Sequence, residues 1–518
     1  MAAKKRAYDV IVVGSGATGG WASKVLTEHG LEVLLLDAGS RADRPDRSGN
    51  LTQVRDELHG TSVDRQPIQS RCYAFGPHTQ RAFVDDCDNP YETPAGEPFT
   101  WIRMRAIGGR LLSWGGVALR MSDRQFKAAT LDGSGVDWPI SYADLRPYYD
   151  EVERFIGVCG IEDQLPDIPN GCFIPLQLSK TELRFKHAVE SAWPERRVTG
   201  LRRVLRIQPA AADSTRQHLA VLQQEALRTI TAAERTGKLT LRGSSIVSRI
   251  VTNRDGTRAE GVEYLDGQSG SPFIATARVV VLCASTIETT RILLNSKSKP
   301  HPDGIGNSHG VLGKYLADHT VLSVMGVRGG TCARQGNIYI PSCRSVDSRN
   351  RPFVRAYGIQ GTIGSSGARA TACQLVSFGE VLPRASNTVT LSEAVKDRWG
   401  IPVPRITCRY SESELAMAAE QLQEASKILV AAGYDVLSNP PALEPGSSIH
   451  EVGTARMGAD RRSSVLNEYN QCWDVPNLFV TDGAAFPSTG FQNPTLTMMA
   501  LTVRACHYLV KEYGRGAW

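Results

Sequence analysis

Apolar residues gather near the start of the chain into one short run, Tyr8-Asp9-Val10-Ile11-Val12-Val13. A run of that length bounded by glycine is the pattern of a buried strand. Gly14-Ser15-Gly16-Ala17-Thr18-Gly19 then turns into a helix reaching about His29, and residues 32–36 make a second strand. Residues 239–285 read as a strand meander, with Asn253-Arg254-Asp255-Gly256 as the turn between 246–251 and 261–265. It closes on Val279-Val280-Val281-Leu282, after which Ala284-Ser285-Thr286-Ile287-Glu288 opens a helix through Leu294, with Ser285 or Thr286 as its cap. Residues 389–391 and 404–408 are strand-like, and 411–432 read as a helix ending before Gly433. Leu478-Phe479-Val480 is a strand, and Pro494 suits the first turn of a last helix running to about Leu509.

Strand, glycines, helix and strand at the start form a βαβ entry, the unit of a doubly wound α/β domain. The chain has 518 residues, too many for one simple core, and two interleaved domains fit best. Residues 165–235 and 321–445 differ in character from the segments around them and predict a discontinuous second domain. No repeat of solenoid period is present.

Composition narrows the class. Hydrophobic residues make up 41% and charged residues 22%, ordinary for a globular protein. The net charge of +6 is spread out, and Lys4-Lys5-Arg6 is too short for a nucleic-acid arm. No apolar run is long enough for a membrane span, and no separate secretory h-region precedes the first strand. Eleven cysteines, an odd number without any Cys-x-x-Cys pair, predict reduced thiols, no metal site and a cytoplasmic location.

Candidate chemistry sits at both ends. Gly14 permits a tight turn, Gly16 lets backbone approach a pyrophosphate, and Gly19 lets the helix pack close to the sheet. Asp37 ends the second strand at the distance where an acid accepts from an adenosine ribose. This spacing leaves FAD and NAD both open. Gly108-Gly109 and Gly115-Gly116 flank Arg110-Leu111-Leu112-Ser113-Trp114, either to admit a flat ligand or simply as a loop crossing the core. Near the C-terminus stand Ser448-Ile449-His450-Glu451-Val452-Gly453, then Asp482-Gly483-Ala484, then Gln492-Asn493-Pro494-Thr495. A neutral imidazole can take a hydroxyl proton near neutral pH, and a carboxamide can orient the hydroxyl and stabilise an alkoxide.

These motifs, with Trp138-Pro139-Ile140-Ser141-Tyr142-Ala143-Asp144-Leu145 between them, occur in the order of the glucose-methanol-choline (GMC) oxidoreductases. The chain resembles that family over nearly its whole length, and its Asn493-Pro494-Thr495-Leu496-Thr497 most resembles the pyranose oxidase and bacterial sugar and glycoside dehydrogenase branch. The resemblance implies an α/β fold: an FAD-binding Rossmann-like domain (1–50, 95–160, 236–320, 446–518) and a discontinuous α+β substrate-binding domain built on an antiparallel sheet, with 51–94 as an insertion or lid-like segment. It implies hydride transfer to flavin N5, with His450 and Asn493 as the catalytic pair. Cofactor contacts carried over are Gly14, Gly16, Ala17, Thr18, Gly19, Asp37, Ala38, Gly108, Gly109, Ser113, Trp114, Gly115, Gly116, Val247, Ala284, Asp482, Gly483, Asn493, Pro494 and Thr495.

Fungal pyranose oxidases link flavin to a histidine where this chain has Ser113, so dissociable FAD is expected. The expected reaction oxidises carbon 2 or carbon 3 of a pyranose or glycoside to a keto-sugar. Oxygen, a quinone or another acceptor then takes the electrons, and a homo-oligomer or a small partner subunit is compatible with the chain. Alternatives are another alcohol (sterol or aliphatic), a flavin-dependent lyase, or the flavoprotein subunit of an electron-transfer complex. His319 reads as a hydrogen-bonded structural residue, and His29, His59 and His507 as positions without a partner motif.

Overall fold

The computed structural model describes residues 8–40, 63–77, 79–204, 215–332, 335–341, 352–366, 369–437 and 443–518, with backbone only at 215–220. Parts of the segments assigned above, including 51–62 with His59, 205–214 and 342–351, lie outside the described residues.

The first sheet grows from the apolar run at the start. Tyr8–Val13 pairs in parallel with Val33–Leu36 on one side and with the end of Pro272–Leu282 on the other, which also carries Leu478–Val480 in parallel. Val10, Ile11 and Val12 are fully buried, as strands covered on both faces must be. Pro272–Leu282 belongs to two ladders: residues 272–276 pair antiparallel with Ala259–Asp266, and 277–282 join the parallel sheet. Its burial follows the change, from exposed at Pro272 to buried at Val279.

The meander expected over 239–285 needs correction at its first strand. Leu239–Arg242 pairs in parallel with Val33–Leu36 at the sheet edge and is not part of the hairpin. Ser244, at φ +49°, turns the chain before Ser245–Thr252 begins. The helix Ala17–Glu28 covers this sheet, packed beside Thr495–Gly514 and Arg228–Arg235. Thr495–Gly514 outruns its expected end near 509 because Tyr508, Val510 and Tyr513 still pack on the core and Tyr513 donates to Asp9 at 2.5 Å.

The second large sheet is antiparallel, in the order Asp435–Val436, His319–Gly329, Ala370–Glu380, Tyr357–Ser365, Gly336–Pro341, Thr199–Gly200. Alternation along the strands divides its residues between two faces. Val324, Leu375, Ile359, Ile363 and Ile338 form one core with Met417, Ile428 and Leu429 of the helix Glu412–Ala431. Val321, Ser323, Gln374, Val376, Phe378, Gln360, Thr362 and Asn337 lie at the alternate positions of the paired rows. This is the FAD-domain and substrate-domain architecture expected, with mixed α/β content.

The Trp138–Leu145 motif serves the packing. Trp138 is 1% exposed and donates from Nε1 to Ser488 Oγ at 2.9 Å. Ser141 and Asp144 form a capping box for the helix Tyr142–Ile156. That helix brings Glu153 to Arg120, both essentially inaccessible, in a two-pronged pair.

Candidate active site

His450 and Asn493 arrive from different loops and meet. His450 Nε2 lies 3.4 Å from Asn493 Nδ2. The Asn493 carboxamide is oriented from behind, because Gln360 Nε2 donates to its Oδ1 at 2.5 Å. The His450 backbone is fixed by Asp318, whose Oδ1 accepts from His450 N at 3.0 Å and also from Ser448 Oγ. Preceding it, Ile449 holds φ +63°, a sparsely populated state for a β-branched residue that its surroundings must enforce.

His319 stands directly behind the pair. Its ring meets that of His450 edge-on, with centroids 5.1 Å apart and the two Nδ1 atoms at 3.1 Å. Its Nε2 lies 2.8 Å from the Gly490 carbonyl. Phe378 closes another side, its ring centroid 5.3 Å from that of His450. The structural hydrogen-bonding role read for His319 from sequence is present, and its partner is the candidate base itself.

Burial sets the protonation states. Desolvation first, then His319 and Arg110, hold the His450 imidazole well below its ordinary 6.5, and burial pushes His319 down to about 4. Both rings are neutral near neutral pH. Asp318 is raised by burial against the hydrogen bonds of Ser448 and the backbone.

Several of the expected cofactor residues are brought together: Gly108 N donates to Ser15 Oγ at 3.0 Å, between Gly14 and Gly16. Gly14 has φ +93°, and an added Cβ would meet the Cys283 carbonyl at 2.4 Å; one on Gly19 would meet the Gly14 carbonyl at 1.7 Å. Packing therefore requires both. At Gly16 an added Cβ would meet nothing within 4 Å, and Gly16 caps the helix of Ala17 and Thr18 without a side-chain hydrogen bond. Open space before an uncapped helix N-terminus fits a pyrophosphate. Asp37 Oδ2 accepts from Ser15 N at 2.7 Å and Ser15 Oγ at 2.5 Å, and its Oδ1 from Gly39 N at 2.7 Å. It shapes the glycine loop directly, and Ala38 follows it at the strand end.

Across from the glycine loop, Gly108 and Gly116 take positive φ, Gly109 packs 3.1 Å from Gly16 measured from an added Cβ, and Gly115 faces open space. Ser113 Oγ bonds Met104 Sδ and the Arg110 carbonyl, and Trp114 packs on the main core. Val247 is in that same core. Asp482 caps Gly483-Ala484 through Ala484 N, accepts from Thr289 Oγ1, and is raised by burial to about 6. Pro494 and Thr495 open the last helix. Ser285 occupies the expected cap position beside Ala284, yet its side chain does not cap: its Oγ accepts from Arg110 Nη2 at 2.9 Å.

Arg110 was legible only as part of its loop. It pairs with Glu451 at 2.6 Å and reaches the Ile449 carbonyl at 3.3 Å, tying the glycine-rich loop to the His450 segment. Glu451 is 1% exposed, and its Oε1 has no partner among the described residues. Asp318 and Gln360 also carried no recognisable spacing. The adjacency of Asp318 to His319, and of Glu451 to His450, was the available signal.

Two family models, both described as GMC oxidoreductase, match residues 213–321 and 383–502. The chain belongs to the GMC oxidoreductase family. It is 29% identical to the 2-methyl-1,2-propanediol dehydrogenase of Mycolicibacterium austroafricanum, over 98% of this chain and 95% of that one. It is 26% identical to the fructose dehydrogenase large subunit of Gluconobacter japonicus, over 98% of each. A formate oxidase from Aspergillus oryzae, in a structure concerned with FAD modification, shares the fold with a TM-score of 0.66, full coverage of both chains and 14% identity. This GMC oxidoreductase is thus a flavin enzyme, and FAD is its cofactor. Among the described residues, no helix is long and apolar enough to cross a membrane. Also among them, Asp150, Glu153 and Cys172 come near one another, but Arg120 engages both carboxylates.

Proposed function

We propose that the protein oxidises a secondary hydroxyl, at carbon 2 or carbon 3, of a pyranose or glycoside to a keto-sugar, with dissociable FAD. The observation that carries this reading is the sheet face beside the catalytic pair. Gln360, Ser323, Gln374, Thr362 and Asn337 share that face with Phe378 and Val376, while Glu380, at the same alternation next to His319, is buried and paired with Arg355. Gln374 Nε2 donates to Ser323 Oγ at 2.9 Å, and Gln360 reaches Asn493. Thr362 and Gln374 form the row two residues beyond Gln360, about 7 Å further along the strand. Neutral amides and hydroxyls over that span, with one aromatic ring, suit an uncharged ligand carrying several hydroxyls. A sterol would ask for an apolar wall.

When bound, FAD supplies the hydride acceptor. The chain supplies the rest: His450 Nε2 takes the hydroxyl proton, and Asn493 Nδ2 donates to the hydroxyl oxygen as negative charge develops there. Gly14, Gly16, Gly19, Gly108, Gly109 and the Asp482-Gly483 turn would hold the cofactor, and Arg110 with Glu451 would keep the loop and the His450 segment together. Ser113 in place of a linking histidine is the basis for dissociable flavin.

A second reading, oxidation of a short aliphatic diol, draws on the relative named for 2-methyl-1,2-propanediol. Acceptor-coupled turnover of pyranoses, glycosides and short 1,2-diols, ranked by kcat/KM and with the carbonyl located by NMR, separates the two. A glycoside ketone at carbon 2 or carbon 3 supports the first reading. Turnover confined to diols replaces it with the second.

A further inference from the structure

We infer that His319 is a positioning residue that selects the tautomer of His450, through a chain of hydrogen bonds ending on the Gly490 carbonyl. A carbonyl only accepts, so the 2.8 Å contact between Gly490 O and His319 Nε2 places the His319 proton on Nε2. A neutral imidazole carries one N–H, so His319 Nδ1 is an acceptor. The 3.1 Å contact between the two Nδ1 atoms then requires His450 to donate from its own Nδ1. His450 Nε2 is left as a bare lone pair on the side where Asn493 stands.

The opposite arrangement is disfavoured at both ends. A His319 protonated on Nδ1 would aim its Nε2 lone pair at a carbonyl oxygen, at a residue with 0% exposure, and leave that buried carbonyl without its donor. Placement of the chain is also firm. His319 N donates to Ser448 Oγ at 3.3 Å, and its carbonyl accepts from Tyr410 Oη at 3.2 Å. Burial keeps the His319 ring neutral, its pKa pushed down to about 4, so the relay holds across the neutral range. An Nε2–H tautomer of His450 would block the base, and the hydrogen bond from His450 Nδ1 to His319 fixes the other tautomer.

The test is nitrogen-15 NMR of the FAD-loaded enzyme with labelled histidine, assigned with His450→Ala, beside anaerobic flavin reduction. The expected wild-type pattern is pyrrole-type Nδ1 and pyridine-type Nε2 at His450, reversed at His319. His319→Leu should lose that pattern at His450 and slow flavin reduction about 10- to 100-fold. His319→Gln, whose carboxamide can accept from His450 and donate to Gly490, should recover most of the rate. A wild-type His450 with pyrrole-type Nε2 overturns the inference, as does a His319→Leu enzyme that keeps both pattern and rate. If His319→Leu does not hold flavin, the wild-type spectrum alone decides. The rate arm rests on His450 being the base, whereas the NMR arm needs no substrate. A correct tautomer with reduction insensitive to His450→Ala would remove the base and leave the relay.

Discussion

His450 Nε2 and Asn493 Nδ2 face each other at 3.4 Å although 43 positions separate them in the chain. Two further contacts make this a defined geometry: Gln360 grips the far side of the carboxamide, and Asp318 grips the backbone of the imidazole. On the proposed reading, a hydroxyl oxygen within hydrogen-bond reach of both atoms would meet the base in His450 and a donor in Asn493.

Removing the donor should therefore slow chemistry while leaving the fold alone. For Asn493→Ala we expect flavin reduction to fall about 10²- to 10³-fold, the scale of a lost oxyanion donor. Stopped-flow reduction with flavin content measured in parallel checks this, and an unchanged rate would take Asn493 out of the chemistry.

Gln360→Leu keeps Asn493 but frees its Oδ1. We expect kcat/KM to fall about 5-fold, in line with one lost hydrogen bond of roughly 1 kcal/mol, and the preference for glycosides over short diols to shrink. Equal loss on both substrates would confine Gln360 to orienting Asn493.

The pH dependence follows from a depressed base. The groups around the His450 ring and backbone are His319, Asp318, Arg110 and Glu451, and the net effect holds His450 well below 6.5. A base loses function as pH falls through its folded pKa, so flavin reduction should stay flat from neutral pH past 6.5 and decline only well below it. An acid limb centred near 6.5 would show a solvated imidazole instead.

Two glycines in one loop should separate packing from cofactor binding. Gly19→Ala puts a methyl 1.7 Å from the Gly14 carbonyl and should destabilise the apoprotein by roughly 1–3 kcal/mol. Gly16→Ala meets nothing within 4 Å, so the apoprotein should unfold as wild type does. Its affinity for FAD should drop at least about tenfold, because the methyl occupies the space left for a pyrophosphate. Thermal unfolding with and without FAD reads both.

Local pattern carried the first sheet well. The apolar run at Tyr8, the glycine loop and the helix after it are contiguous in sequence, so their period and turn chemistry are visible directly. The misplaced strand at Leu239 shows where that fails: parallel pairing with Val33–Leu36 joins segments about two hundred positions apart, and nothing local announces it. The candidate site divides the same way. His450 and Asn493 could be named from their motifs, while Gln360, on an antiparallel strand of the other domain, enters through strand register alone. Ser285 had the right identity for a helix cap, but Arg110, brought from a distant loop, took its hydroxyl.

The most direct test of the account is anaerobic reduction of the bound flavin by a pyranose or glycoside, in the wild-type enzyme and in His450→Ala at matched flavin content. Rapid bleaching is expected in the wild type, and bleaching slower by about 10²- to 10⁴-fold in the variant. Equal rates in the two proteins, or a wild-type flavin that no sugar or glycoside bleaches, would contradict it.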